Sequence, residues 1–250
     1  MENVILYSVL RSLRAKNDAG PKAKTDINEF LTEEGFKVMD LDLPEKRLEK
    51  FFFVHLKLKR LFKGRQFDNV ILQYPFYSVF LTKKIIENAK KVTHGKFLIM
   101  VHDVETLRVY DGNKQFEKDE MEIFNSADGL IVHNSKMAEW LKQHGVTVPI
   151  TLLGIFDYRN DCQKNERFEY QKSICFAGNL EKSTFLKKVK LNDAKLDVYG
   201  PSPAQKYQKG VTYCGVYTPD DLPNHLNENF GLIWDGDEMS ACTGVFGNYM

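Results

Sequence analysis

Residues 97–103 read Phe97-Leu98-Ile99-Met100-Val101-His102-Asp103. An unbroken apolar run of this length, without polar alternation, belongs to a strand covered on both faces. Short strand-like runs recur on either side, at Val4–Tyr7, Val38–Leu43, Val70–Tyr74, Gly129–His133 and Ile150–Leu153, with Ile5-Leu6-Tyr7 and Val70-Ile71-Leu72 again apolar at every position. Amphipathic stretches separate them: Thr25–Glu34, Glu45–Lys63, Val79–Lys91, Phe116–Asn125 and Ser135–His144. Gly35, Gly64 and Gly145 close three of these helices, and Pro75 ends one strand. Strands separated by helices of this length imply right-handed crossovers and a parallel sheet.

The pattern breaks at residues 154–172, where no period is visible, and restarts at 173. Ile174–Ala177, Leu196–Tyr199 and Phe230–Trp234 read as strands, Phe185–Leu191 and Asp221–Asn227 as helices. The expectation is an α/β protein of two Rossmann-like domains, residues 1–153 and 173–250, joined by a linker at 154–172. The second has about three strands and is short for a complete domain of this type.

The 250 residues carry 35 Lys+Arg and 34 Asp+Glu, so no strongly basic surface marks the whole chain and a nucleic-acid partner is not expected. No apolar run is long enough to span a membrane, and Met1-Glu2-Asn3-Val4 has no basic leader character, so a cytoplasmic location is expected. Cys162, Cys175, Cys214 and Cys242 form no CxxC pair, and the histidines show no HxH or HxxxH spacing. Neither a zinc site nor a disulfide framework follows. The dinucleotide fingerprint, the P-loop and the G-x-S-x-G elbow are all missing from the sequence, which disfavours nicotinamide enzymes, NTPases and serine hydrolases.

Ligands of open parallel sheets bind beyond the carboxyl ends of the strands. The first such loop, Ser8–Lys24, holds Lys16, Asn17, Gly20 and Lys22, a set able to lie over an anionic or sugar ligand, or simply to be solvated. His102-Asp103 ends a strand where a general base belongs, and Asp103 can take a proton from an attacking hydroxyl or cap the next turn. At His133-Asn134-Ser135, Ser135 reads as a helix cap. Gly178-Asn179 and then Lys182-Ser183, between a strand and an expected helix, suit a diphosphate: the glycine permits close backbone approach and the lysine supplies charge. Tyr217 can stack on a base ring or edge the core. Asp40-Leu41-Asp42 and Asp235-Gly236-Asp237 match a metal-binding Asp-x-Asp that also arises often by chance. Residues 45–65 hold eight basic side chains against Glu45 and Glu49. Leu48, Phe51, Phe52, Leu58 and Phe62 are expected on one core-facing side, the alternative use being contact with an anionic membrane surface.

Five segments together resemble one family: Lys16–Lys24, Val101–Val104, Ala127–Val132, Phe176–Lys182 and Phe230–Asp235. The chain is similar to bacterial GT-B glycosyltransferases, built of two facing Rossmann-like domains, of the β-1,6-galactofuranosyltransferase-like and glucosyltransferase 3-like kind. The resemblance implies transfer of galactofuranose or glucose from a UDP-sugar to a glycan or glycopeptide, without a metal or other cofactor. It implies donor contacts from Gly178, Asn179, Lys182, Ser183, Tyr217 and Asp235. His102 and Asp103 would then line the acceptor side, with Lys16, Asn17, Gly20 and Lys22 covering it. Relatives continue with segments that complete the donor pocket, so the second domain is expected to be truncated here and its activity weakened, with oligomerisation through the exposed sheet as a consequence. Two other readings remain open, a non-catalytic module that binds a partner transferase or acceptor, and a metal-dependent transferase using Asp235 and Asp237.

Overall fold

The computed structural model describes residues 2–9, 19–76, 78–154, 157–161, 170–181, 183–201 and 207–233. They fall into two compact units, the first within residues 2–157 and the second from Tyr158 onward.

In the first unit β1 (Glu2–Tyr7) leads to α1 (Ala19–Glu33) and β2 (Lys37–Asp40). A helical stretch follows as α2 (Arg47–Phe52), a π-helical turn (Phe53–Leu58) and α3 (Lys59–Phe62). Then come β3 (Phe67–Tyr74), α4 (Val79–Lys90), β4 (Phe97–Val101), α5 (Glu105–Arg108) and α6 (Lys114–Asn125). The unit ends with β5 (Gly129–Val132), α7 (Ser135–Gln143) and β6 (Ile150–Leu152). All strands are parallel, in the order β2-β1-β3-β4-β5-β6.

The unbroken apolar runs are buried on both faces, because consecutive residues of a strand point to opposite sides. Ile5, Ile71 and Met100 pack with Ile27 of α1 on one side. Leu6, Leu72, Ile99 and Val101 pack on the other with Leu81 and Ile85 of α4 and Phe124 of α6. Helix starts are set by side-chain caps: Ser78 on α4, Asn113 on α6 and Asn134 on α7. The α7 cap is Asn134, whose Oδ1 accepts from Met137 N at 2.8 Å, and not Ser135 as its sequence position implied.

Two further expectations are corrected. Helix α1 begins at Ala19, so Gly20, Lys22 and Lys24 lie in a helix and not in a loop. The stretch from Arg47 to Phe62 does not present one apolar side. Leu48, Phe51 and Phe52 are exposed, whereas Leu58 and Phe62 are buried. The π turn between them adds a residue to the helical repeat and rotates the two ends by roughly 100° relative to a straight α-helix. Asp40 and Asp42 bracket the end of β2, as their position after Val38 suggests: Asp42 N donates to Asp40 Oδ1 at 2.9 Å.

The second unit has four described strands where about three were expected: β7 (Ser173–Ala177), β8 (Lys195–Tyr199), β9 (Val211–Gly215) and β10 (Phe230–Gly231). They are parallel in the order β10-β7-β8-β9. Phe176, Leu180, Leu186, Leu196 and Val198 form its core. The helix expected at Phe185–Leu191 is a 3₁₀ turn, Thr184–Lys187, and that at Asp221–Asn227 shortens to α8 (Leu222–His225).

Candidate functional site

Each sheet reverses its order once. In the first, the chain passes from β1 to β2 on one side and returns to β3 on the other. In the second, β7, β8 and β9 run one way and β10 returns to the far side of β7. Crossovers leave in opposite directions at such a point and open a crevice at the carboxyl ends of the strands. Ser8 and Pro75 follow β1 and β3 at one switch point; Gly178 follows β7 at the other.

At the first edge the register sets Tyr74, Val101 and Val132 side by side. The residues that follow are therefore neighbours across the sheet: Pro75, His102 and His133. His102 N bonds Tyr74 O at 3.1 Å, and the His102 and His133 rings lie 5.9 Å apart. Lys24 reaches this edge from α1. Its ammonium donates to Pro75 O at 2.7 Å and Ser8 O at 3.3 Å, joining the two strand ends of the switch point. It also lies 5.7 Å from the Phe76 ring centre. Burial pulls the Lys24 pKa down from 10.5 to about 7, against the upward pull of Asp103 and Glu105.

A hydrogen-bonded chain runs inward from there. Gln73 Nε2 donates to Lys24 O at 3.0 Å and to Asn28 Oδ1 at 2.7 Å. A main-chain carbonyl can only accept, so the orientation of the Gln73 amide is determined and its Oε1 faces His102 Nε2 at 2.7 Å. His102 therefore carries its proton on Nε2, which leaves Nδ1 as the nitrogen that can accept one. Burial, then the Lys24 charge and His133, hold the His102 pKa well below its ordinary value, so the ring is neutral at pH 7.

Asp103 is less enclosed, with a third of its side chain exposed, and lies 3.7 Å from Arg108 Nε. Arg108 also pairs with the buried Glu105 at 2.9 Å, whose pKa burial raises. The loop that carries Asp103 is held from below by Glu120, which is fully buried. The Glu120 carboxylate accepts from Tyr74 OH at 2.7 Å, Glu105 N at 2.8 Å and Thr106 N at 3.0 Å. It thereby caps α5 and fixes the turn after His102. The first edge thus combines a partly exposed carboxylate, a neutral imidazole, a guanidinium and a buried amine of reduced basicity. Such a set can hold hydroxyl groups and move a proton.

Of the residues expected over this edge, Lys22 is engaged by the buried Asp26 at 2.5 Å, one helical turn on. Gly20 stands near the start of α1. Lys16 and Asn17 lie outside the described residues. Lys24, Gln73, Asn28, Glu105, Arg108 and Glu120 were not singled out from the sequence. Lys24 left one signal: it shares the helical face of Ile27, Asn28 and Leu31, where a cation is out of place unless something receives it.

At the second edge the strand ends are glycines. Gly178 N donates to Tyr199 O at 3.0 Å and Gly200 N to Gly215 O at 2.8 Å, linking three successive ends. Gly200 has φ +141°, and a Cβ there would fall 1.8 Å from Gly178 O. No other residue fits at this position. Gly178 and Asn179 are exposed. Asn179 Oδ1 accepts from Glu181 N at 3.1 Å, and its carbonyl accepts from the Ser183 hydroxyl at 3.0 Å. Ser183 thus folds the turn back on Asn179 and does not cap a helix. With only a four-residue 3₁₀ turn following, the α-helical N-terminus expected to face a diphosphate is replaced by exposed backbone.

Tyr217 stands beyond β9, its ring stacked on His225 at 3.7 Å and 23°. His225 Nε2 is held by Asp221 Oδ2 at 3.1 Å, and Tyr199 OH, 5% exposed as a residue, by Glu228 Oε1 at 2.9 Å. Gly178, Asn179, Ser183 and Tyr217 therefore belong to one edge of one sheet. Lys182, Asp235 and Asp237 lie outside the described residues. Among the described residues no group of three His, Cys, Asp or Glu is placed to hold a metal ion.

Comparison with known proteins agrees with this arrangement in its extent. A family model described as the glucosyltransferase 3-like N-terminal domain matches residues 7–155. The corresponding C-terminal domain model matches residues 174–250. Over 245 residues the chain is 24% identical to the β-1,6-galactofuranosyltransferase WbbI of Escherichia coli (strain K12), covering 94% of this chain and 70% of that protein. Over 188 residues it is 26% identical to glucosyltransferase 3 of Streptococcus parasanguinis, covering 74% of this chain and 56% of that one. The two relatives are glycosyltransferases, and this chain, matched through both of its α/β units, belongs to the glucosyltransferase 3-like family.

Proposed function

We propose that the chain is a hexosyltransferase that takes galactofuranose or glucose from a UDP-sugar and transfers it to a hydroxyl of a glycan or glycopeptide. The second unit takes the donor and the first takes the acceptor. Family membership supports the reaction class. The donor assignment is carried by one observation, the glycine-ended edge of the second sheet at its switch point.

Exposed backbone at Gly178 and Asn179 lets a diphosphate approach closely, and Lys182 offsets its charge as the bond from the anomeric carbon to the UDP oxygen breaks. Tyr217, braced by His225, offers a ring for the uracil base, and Ser183 and Asp235 are assigned as further donor contacts. The reading needs no metal, because cationic side chains offset the leaving-group charge. On the first unit Asp103 and His102 Nδ1 are the groups able to accept the proton of the attacking hydroxyl, with Arg108 orienting Asp103. Lys16, Asn17, Gly20 and Lys22 are assigned to the acceptor.

The test is UDP release from UDP-glucose and UDP-galactofuranose, with and without a panel of glycan and glycopeptide acceptors. Acceptor-dependent release that survives EDTA supports the reading. Release from neither donor, by a chain that binds no UDP, sinks it.

A further inference from the structure

We infer that the segment Arg47–Phe62 docks the protein on an anionic lipid surface. Leu48 is 74% exposed, Phe51 54%, and Phe52 and Leu56 each 56%. They are neighbours: the Phe51 and Phe52 rings meet edge to face at 5.8 Å, and Phe51 lies 4.3 Å from the His55 ring. The same stretch already fills the core with Phe53, Val54, Leu58 and Phe62. The π turn is what allows one helical segment to be apolar on two sides.

The outward side is framed by charge of one sign. Lys46, Arg47, Lys57, Lys59, Arg60, Lys63 and Arg65 are exposed and Lys50 is half-buried. Against these stand Glu45 and Glu49, the latter paired with Lys46 at 3.8 Å. Large apolar side chains within a ring of Lys and Arg are the pattern of a helix lying in a lipid interface, the rings entering the acyl boundary and the cations meeting headgroups. The charge decides between occupants. A second copy meeting this patch across a two-fold axis would set the same cations against each other. An anionic bilayer complements both the rings and the charge. The contact is peripheral, since no described helix is long and apolar enough to cross a membrane. It rests on exposure and charge, independently of the transfer reaction.

The experiment is co-sedimentation of the full chain with vesicles of phosphatidylcholine alone and of phosphatidylcholine with phosphatidylglycerol. It is run at low and high salt, beside the Leu48→Ser/Phe51→Ser/Phe52→Ser and Arg47→Gln/Lys57→Gln/Arg60→Gln variants. These side chains are exposed, so both variants keep the far-ultraviolet circular dichroism of the parent. The parent pellets with the anionic vesicles and is released by salt, and each variant loses roughly tenfold or more of its partitioning. No pelleting of the parent overturns the inference, as does equal pelleting of parent and variants. An oligomer that the Ser variant dissociates, with no vesicle binding by the parent, overturns it in favour of a second copy.

Discussion

Lys24→Met tests the buried ammonium that joins the ends of β1 and β3. Lys24 titrates near 7 in the folded chain against 10.5 for a free lysine. Between those values the unfolded chain holds a proton that the folded chain has lost. Raising the pH through that window therefore stabilises the folded form, and below about 7 the cost of burying the charge is felt in full. One proton released on folding changes stability by about 1.4 kcal/mol for each pH step of one. Lys24 is half-titrated at the lower end, so the parent gains about 2 kcal/mol relative to Lys24→Met between pH 7 and pH 9. The loss of hydrogen bonds to Pro75 O and Ser8 O is independent of pH and cancels from this difference. The assay is urea unfolding of both proteins at the two pH values. Fluorescence of Trp140 in α7 reports the first unit, in a Trp234→Phe background that removes the second of the two tryptophans. Stability curves of parent and variant that stay parallel over this range, within about 0.5 kcal/mol, would refute the burial of a charged amine at the switch point.

Four further outcomes are expected. In a long-range ¹⁵N spectrum His102 shows a protonated Nε2 and an unprotonated Nδ1, and Gln73→Leu mixes the tautomers; a protonated Nδ1 in the parent contradicts the hydrogen-bond chain from Lys24 O. Asp103→Asn lowers turnover about 10²–10⁴-fold while UDP affinity stays constant, and a fully active variant removes Asp103 as the base. Tyr217→Ala weakens UDP binding by about 1–3 kcal/mol and Tyr217→Phe by much less, since stacking needs the ring and not the hydroxyl; equal losses argue against stacking. Gly200→Ala, whose Cβ would press on Gly178 O, costs about 2 kcal/mol or more, read as faster hydrogen exchange across β7, β8 and β9. Unchanged exchange would show that the strand ends are not so tightly apposed.

The legible parts of the fold are those where burial on two faces leaves no choice of residue. Phe97–Val101 and Gly129–Val132 announce themselves because no inward or outward position is polar, and Val70–Tyr74 does so with Gln73 as its one polar position. Strand β9 was missed because it is an edge strand, and Val211-Thr212-Tyr213-Cys214-Gly215 is only half-buried. Phe185, Leu186 and Val189 have a helical spacing, yet the first two pack from a 3₁₀ turn and Val189 from the chain beyond it, since a short core over a small sheet can be closed without a full helix. The π turn at Phe53–Leu58 is equally silent in sequence: both alignments of the apolar residues satisfy a helix, and only the packing on the sheet selects one.

The candidate site was legible where chemistry sits on strand ends. His102-Asp103 and Gly178-Asn179 each follow a strand visible in the sequence, so their place follows from the sheet, whereas Tyr217 follows β9, which was not visible. The supporting set was not legible. Lys24, Gln73, Asn28 and Glu120 act through partners far away in sequence, such as Gln73 to Asn28 and Tyr74 to Glu120. Each is polar, and in a one-dimensional reading each passes for a solvated side chain. Gly200 is similar, for its necessity comes from the carbonyl of Gly178 on the next strand.

The central claim is that the second unit binds the nucleotide of a UDP-sugar. Titration calorimetry with UDP, on the parent and on Lys182→Ala and with EDTA present and absent, addresses it directly. Saturable binding that the chelator leaves unchanged and that Lys182→Ala weakens is the predicted result. Binding that requires a divalent metal, or equal affinity in the parent and Lys182→Ala, would contradict it.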